Sequence, residues 1–194
     1  DWNVDFAAWC HYKYINSGPG ATAGYFVHER HHDDANIPRF EGWWGHDKAT
    51  RFEMPETFIP IPTAEAWQLS NAPVMAMAPL RASLDLFDRA GAENLRAKSR
   101  KLTAYLQEVL EEVAHASGSD FEIITPKDER GAQISLLVHG YGRPLFDYLM
   151  KEGVIADWRE PNVIRMAPVP LYNNFEDIRA FGAILLNYLN EQGA

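Results

Sequence analysis

The chain has 194 residues, 46% hydrophobic and 12% aromatic with six tryptophans, and a formal net charge of −9 at a pI near 5.2. That composition excludes a disordered chain, and because Lys and Arg are scattered apart from the short RAKSRK run at 96–101 it also excludes a nucleic-acid footprint. The length sets a prior of one domain or one and a fraction, with no apolar run near the ~20 residues of a membrane span and no charged-then-apolar leader at the start.

The strand-like alternation of Val4, Phe6, Ala8 and Cys10 begins almost at Asp1, with no initiator methionine before it. A chain cut inside a larger fold is the expectation. Cys10 is the single cysteine; it rules out an intramolecular disulfide, suits a reducing, cytoplasmic compartment, and is expected to be a buried, inert thiol. Residues 4–10 and 23–27 read as two short strands flanking Lys13 and the turn Ser17-Gly18-Pro19-Gly20. Residues 31–63 are turn-rich and punctuated by proline, with Phe40, Trp43, Trp44 and Phe52 embedded in them; a long irregular stretch of this kind is usually functional.

From 73 to 116 the period becomes helical: Leu80, Leu84 and Phe87, a break at Gly91, then Leu95, Leu102, Leu106, Val109 and Val113. Beyond Gly118 the order is strand (FEIIT), strand (AQISLLV), helix (RPLFDYLMKEG), strand (VIADW), strand (VIRMAP) and a last helix. That helix is capped by Asn173 or Asn174 and carries Ile178, Phe181, Leu185 and Leu189 on one stripe. Helices on one face of an antiparallel sheet are the natural packing for such a module.

Two stretches invite a chemical reading. HERHH at 28–32 contains H-E-x-x-H, which on a helix would set two imidazoles around zinc. The strand before it and the turn after it leave room for about one helical turn, and a third ligand is not evident, so no metal site is read here. Lys13 lies at a strand end between Tyr12 and Tyr14. Aromatics that desolvate an amine depress its pKa and supply the neutral nucleophile that Schiff-base chemistry needs. Taken alone, a lysine is more often a solvated surface charge.

The company of Lys13 carries a resemblance. WCHYKYINSGPGATAGYFVHERH, GWWGH at 42–46, RFEM at 51–54, LSNAP at 69–73 and IRMAPVPLYNNFEDI at 164–178 follow in order along essentially the whole chain and resemble the signature segments of kynureninase. That family uses pyridoxal 5'-phosphate (PLP) on the aspartate-aminotransferase fold. The resemblance covers the later half of the family's chain. It implies an α/β, fold-type I architecture: the end of the large PLP-binding domain at 1–72, an interdomain helical segment at 73–116, and a small C-terminal α+β domain at 117–194.

Residue by residue, the resemblance makes Lys13 the lysine that holds PLP as an internal aldimine and then acts as base at the substrate Cα. Tyr12 looks like a ligand of the cofactor phosphate. Trp43 and Asn71 look like the pair that reaches the phosphate of a neighbouring subunit's PLP, which implies a homodimer with shared active sites. Arg165 resembles the arginine that grips the substrate α-carboxylate, a role its planar fork suits better than a lysine would; His46 and Ser70 resemble pocket-lining neighbours. The implied reaction hydrolyses the Cβ–Cγ bond of kynurenine, a small-molecule substrate of tryptophan catabolism, to anthranilate and alanine. The family's pyridinium-partner aspartate, ring-stacking aromatic, phosphate-cup residues and catalytic tyrosine find no counterpart in these 194 residues. The competing expectations are another PLP enzyme of the same fold, such as a cysteine-desulfurase-like one, or a non-catalytic fragment.

Overall fold

The structure, a computed structural model, describes residues 2–34, 36–119 and 121–192; Asp1 lies outside it. The chain divides into two compact units, Asp1–Arg89 and Ala90–Ala194.

In the first unit β1 (Phe6–Trp9) and β2 (Gly24–Val27) pair antiparallel, with Phe6 opposite Val27 and Trp9 opposite Gly24. Both strands fall where alternation places them, but all four residues of β1 are exposed. Four short 3-10 turns follow, Glu29–His31, Trp43–Gly45, Arg51–Glu53 and Ala64–Trp67. They fill the stretch whose prolines and glycines deny it a longer helix. The helix α1 (Val74–Ala90) closes the unit. It buries a narrow face of Leu80 and Ser83, while Leu84 of the expected stripe remains 38% exposed. Among the described residues the buried apolar side chains of this unit are Val27, Ala66 and Leu80.

The second unit begins at Ala90, and the helical stretch at 73–116 is two helices parted at Gly91. It contains α2 (Ala92–Ser117), β3 (Phe121–Ile123), β4 (Ile134–Val138), α3 (Gly142–Lys151), β5 (Asp157–Arg159), β6 (Val163–Met166) and α4 (Phe175–Gln192). The sheet is antiparallel, in the order β3-β4-β6-β5. Strand β4 alternates, burying Ile134, Leu136 and Val138 and leaving Ser135 and Leu137 partly exposed. Ile164 of β6 joins the buried set. Against these pack Leu102, Leu106, Val109, Leu110 and Val113 of α2, Leu145, Phe146 and Leu149 of α3, and Ile178, Phe181, Leu185 and Leu189 of α4. Every member of the predicted α4 stripe is in this core.

The α4 start shows why the helix begins where it does. Asn174 Oδ1 accepts from the backbone N–H of Glu176 at 2.8 Å and of Asp177 at 3.1 Å, and Asp177 Oδ2 accepts from Asn174 N–H at 2.9 Å. This reciprocal cap satisfies donors the helix cannot, and its hydrogen bonds from the Asn174 backbone and then the Asn173 side chain hold the Asp177 carboxyl below its ordinary range. Asn174, of the two candidates, is the cap.

Helices α2 and α4 meet at Gly182, where an added Cβ would lie 2.3 Å from Val109 Cγ1. The Val109 side chain is stiff at χ1 and buried, so it has little room to yield. Gly182→Val is therefore expected to destabilise the unit by about 1–3 kcal/mol through overpacking. The check is the denaturant midpoint, which should fall without a change in slope; an unshifted midpoint would show that the helices part freely.

Candidate active site

Lys13 stands on the connection between β1 and β2, and that connection is pinned at its base. Trp9 Nε1–H donates to His11 Nε2 at 2.8 Å, so His11 Nδ1 carries the proton and donates to the Thr22 carbonyl at 2.6 Å. Asn16 N–H donates to the Lys13 carbonyl at 2.9 Å and Ser17 N–H to the His11 carbonyl at 3.3 Å, which makes residues 11–17 a closed turn with Lys13 near its apex. Ser83 of α1 donates its hydroxyl to the Ile15 carbonyl, tying the far side of the turn. The backbone under the amine is thus held at several points.

The side chains differ from expectation. Tyr12 and Tyr14 are 50% and 64% exposed, and Lys13 is itself exposed with its ammonium 5.7 Å from the Tyr12 ring centroid. The flanking tyrosines do not desolvate Lys13 in this chain, because successive residues of a tight turn point apart and cannot both fold over the residue between them. Cys10, expected buried, is exposed as well; neither face of the ribbon β1–β2 is covered around it. The Cys10 side chain, through its hydrogen bond first and its charge second, pushes the Tyr12 phenol above its ordinary value. Tyr12 therefore stays protonated, the form that donates to an anion.

The second group of residues lies on 42–46 and 69–71. Gly42 is in contact with the Leu69 backbone, where a Cβ would come within 2.1 Å of the Leu69 Cα, and at Gly45 a Cβ would lie 2.6 Å from the Ala66 carbonyl oxygen. Only glycine allows the two segments this approach, which sets residue 42, just before Trp43, against residue 69, just before Ser70 and Asn71. The Trp43 indole meets Trp44 and Phe52 edge-on at 5.4 and 5.6 Å between centroids. Ser70 Oγ donates to Asn71 Oδ1 at 3.1 Å. Among the described residues no hydrogen bond uses the Trp43 Nε1–H or the Asn71 amide N–H groups, so this corner offers N–H donors to an anion. No hydrogen bond or aromatic contact among the described residues joins it to Tyr12 and Lys13.

His46 is 5% exposed and both ring nitrogens are engaged. Ile59 N–H donates to Nδ1 at 3.1 Å, so Nε2 carries the proton and donates to Thr50 Oγ1 at 3.0 Å. It also lines, with Glu41, Trp43, Arg51 and Phe58, a surface pocket of about 270 Å³. Arg51 holds this region together. It is 8% exposed, lies 4.2 Å over the Trp44 ring, and donates to the Trp44 and His46 carbonyls. The RFEM segment carries no assigned role, and an arginine seven residues after a tryptophan pair shows nothing of its burial in sequence.

HERHH forms a clamp. His28 Nδ1 accepts from Arg30 N–H at 3.2 Å, His32 Nε2 donates to the Val27 carbonyl at 3.2 Å, and His31 Nε2 bonds Asp5 Oδ1 at 2.7 Å beside Arg30, which donates to the same carboxylate. The His31 hydrogen bond first, then Arg30, holds the Asp5 carboxyl below its ordinary value of 3.8. Stability from this clamp is present above that value and is lost as the pH falls through the lower folded one.

Arg165, in the second unit, lies on β6 opposite Asp157 of β5 and Ser135 of β4. Its Nε–H donates to Asp157 Oδ2 at 2.7 Å, and Nη2–H donates to the same oxygen. The guanidinium is partly buried, with 29% of the side chain exposed.

Comparison with known proteins fits this geometry to a family. Residues 95–185 match the model of the kynureninase C-terminal domain. The chain is 57% identical over 187 residues to kynureninase of Flavobacterium psychrophilum, covering 95% of this chain and 44% of that protein. It is 58% identical over 182 residues to kynureninase of Stenotrophomonas maltophilia, covering 91% and 42%. The chain thus spans less than half the length of these relatives. Among solved structures, a variant of C-DES with glycine covalently linked to its PLP cofactor superposes with a TM-score of 0.74 at 18% identity, covering 95% of this chain and 46% of that one. The cysteine desulfurase CsdA of Escherichia coli does so with a TM-score of 0.72 at 16% identity, covering 97% and 47%. At those identities the structures establish the fold, the α/β architecture of fold-type I enzymes, and nothing about chemistry. The sequence relatives are three times as similar, and by them the chain is similar, along nearly its whole length, to the C-terminal portion of kynureninases.

Proposed function

We propose that the chain forms part of a longer kynureninase that hydrolyses the Cβ–Cγ bond of L-kynurenine or 3-hydroxykynurenine to L-alanine and anthranilate or 3-hydroxyanthranilate. The identity of 57% over 95% of the chain carries the reading, against 16–18% for the desulfurase-like structures. The division of labour follows the sequence: 1–72 completes the PLP-binding domain, 73–116 connects, and 117–194 is the small domain.

The residues present suit PLP. Lys13 offers an amine at the apex of a pinned turn, and Tyr12 a phenol kept protonated. Trp43 and Asn71 offer unpartnered N–H donors for a phosphate, in our reading that of a neighbouring subunit in a homodimer. PLP, when bound, supplies the electron sink that lets a Cα proton and the Cβ–Cγ bond be lost. Lys13 Nζ takes and returns the proton at Cα. Arg165 holds the α-carboxylate through its planar fork. Ser70 and His46 shape the pocket wall; with both ring nitrogens engaged, His46 acts through its position. The single cysteine suits the cytoplasm.

The test is turnover. The full-length enzyme with PLP should release fluorescent anthranilate from L-kynurenine and leave L-cysteine intact, whereas sulfide release from cysteine without anthranilate would overturn the reading. These 194 residues alone should release none, since the family's pyridinium partner and phosphate cup are not among them; hydrolysis by them would show that the chain carries a whole site.

A further inference from the structure

We propose that Asp157 is the positioning residue for Arg165: it holds one edge of the guanidinium so that the other edge is presented to the substrate carboxylate. The proposal rests on the reading of Arg165 as the carboxylate grip.

A guanidinium has two edges that offer parallel N–H groups, one made by Nε and a terminal nitrogen, the other by the two terminal nitrogens. Asp157 Oδ2 takes the first, accepting from both Nε–H and Nη2–H of Arg165. Among the described residues nothing bonds Arg165 Nη1, so the second edge is left for a ligand. The register makes this arrangement. Asp157 and Arg165 are direct cross-strand partners on β5 and β6, and Trp158 and Ile164 are the next pair. Ile164 is fully buried and Trp158 packs against the same core, so the alternation of a strand turns Asp157 and Arg165 to the opposite face. Arg159, two residues along β5, shares that face, with Nη2 3.2 Å from Asp157 Oδ2. Two guanidiniums meet on one carboxylate oxygen and leave the row with excess positive charge, which favours an incoming anion.

An arginine free to rotate would lose side-chain freedom on binding, and a held one has already done so. A residue that merely stabilised the sheet would not discriminate between ligands, so the experiment reads discrimination. In the full-length PLP enzyme, KM and kcat for kynurenine and the dissociation constants of L-alanine and L-alaninamide are measured for wild type, Asp157→Ala, Asp157→Asn, Arg165→Ala and the Asp157→Ala/Arg165→Ala double variant. Asp157→Ala should raise KM by about tenfold, the scale of a lost charge-assisted hydrogen bond, and reduce the preference for alanine over its amide. Asp157→Asn keeps an acceptor in place and should fall between, and it serves if the alanine variant fails to fold. In the Arg165→Ala background, Asp157→Ala should have no further effect on KM. A lower KM in Asp157→Ala would show a carboxylate that masks Arg165, and an unchanged preference for alanine would leave Asp157 a strut of the sheet; either overturns the proposal while the grip stands. An Arg165→Ala enzyme with normal KM and normal preference would overturn the grip, and this proposal with it.

Discussion

Lys13→Ala in the full-length enzyme is expected to abolish covalent attachment of PLP and with it turnover, while leaving the fold intact. The loss should be complete because no other lysine occupies the pinned turn: its neighbours from His11 to Ser17 are His, Tyr, Tyr, Ile, Asn and Ser, and a substitute amine would have to arrive from another backbone position. The fold should survive because the lysine is exposed and its backbone, not its side chain, takes part in the turn through the bond from Asn16 N–H; such substitutions usually fall within about 0.5 kcal/mol. Borohydride reduction followed by intact mass measurement checks it. Wild type should gain the mass of the reduced cofactor, and the variant should not. A variant that still gained it at this turn would end the assignment of Lys13.

The second large effect is at Arg165. Arg165→Lys keeps a positive charge but removes the fork, and kynurenine capture, read as kcat/KM, should weaken by about 2 kcal/mol or more. Binding of PLP should hardly change, since the grip acts on the substrate. The structure sharpens the contrast with a purely structural arginine. Arg165 is paired with Asp157, but their side chains are 29% and 47% exposed, and ion pairs that wet contribute at most about 1 kcal/mol. A structural role therefore predicts a lower melting temperature with kcat/KM unimpaired. Measuring both quantities on one preparation separates the roles.

How much of this was legible beforehand depended on the range of the interaction. The α4 stripe of Ile178, Phe181, Leu185 and Leu189 and the cap at Asn174 are local patterns with a fixed period and a fixed spacing, and the structure places them where sequence puts them. Lys13, Trp43 and Asn71 stand out only by resemblance, since single residues of those types say nothing alone. The exposure of Cys10 and of Tyr12 was not legible, because it depends on what lies across the ribbon and not on the residues in it. Nor was the buried Arg51, whose partners are backbone carbonyls that sequence does not display. Asp157 was reachable in principle. Once VIADW and VIRMAP are read as adjacent antiparallel strands joined by residues 160–162, the shortest hairpin pairs 159 with 163 and hence 157 with 165. That register sets the Asp157 carboxylate directly opposite the Arg165 guanidinium.

The contrast between the units has a practical side. The second encloses a continuous core on α2, α3, α4 and the sheet, whereas the first buries Val27, Ala66 and Leu80 and leaves Phe6, Trp9, Tyr25 and Phe26 wetted. A ribbon of two strands is marginal in water, and what keeps this one in shape is a set of polar ties at Asp5, His11 and Tyr25. Amide hydrogens around Lys13 should thus exchange through frequent local openings, while those of α2 and α4 report on global unfolding. Lys13 thus stands on a turn whose shape rests on hydrogen bonds more than on buried apolar surface, so its position should respond to denaturant well before the second unit unfolds.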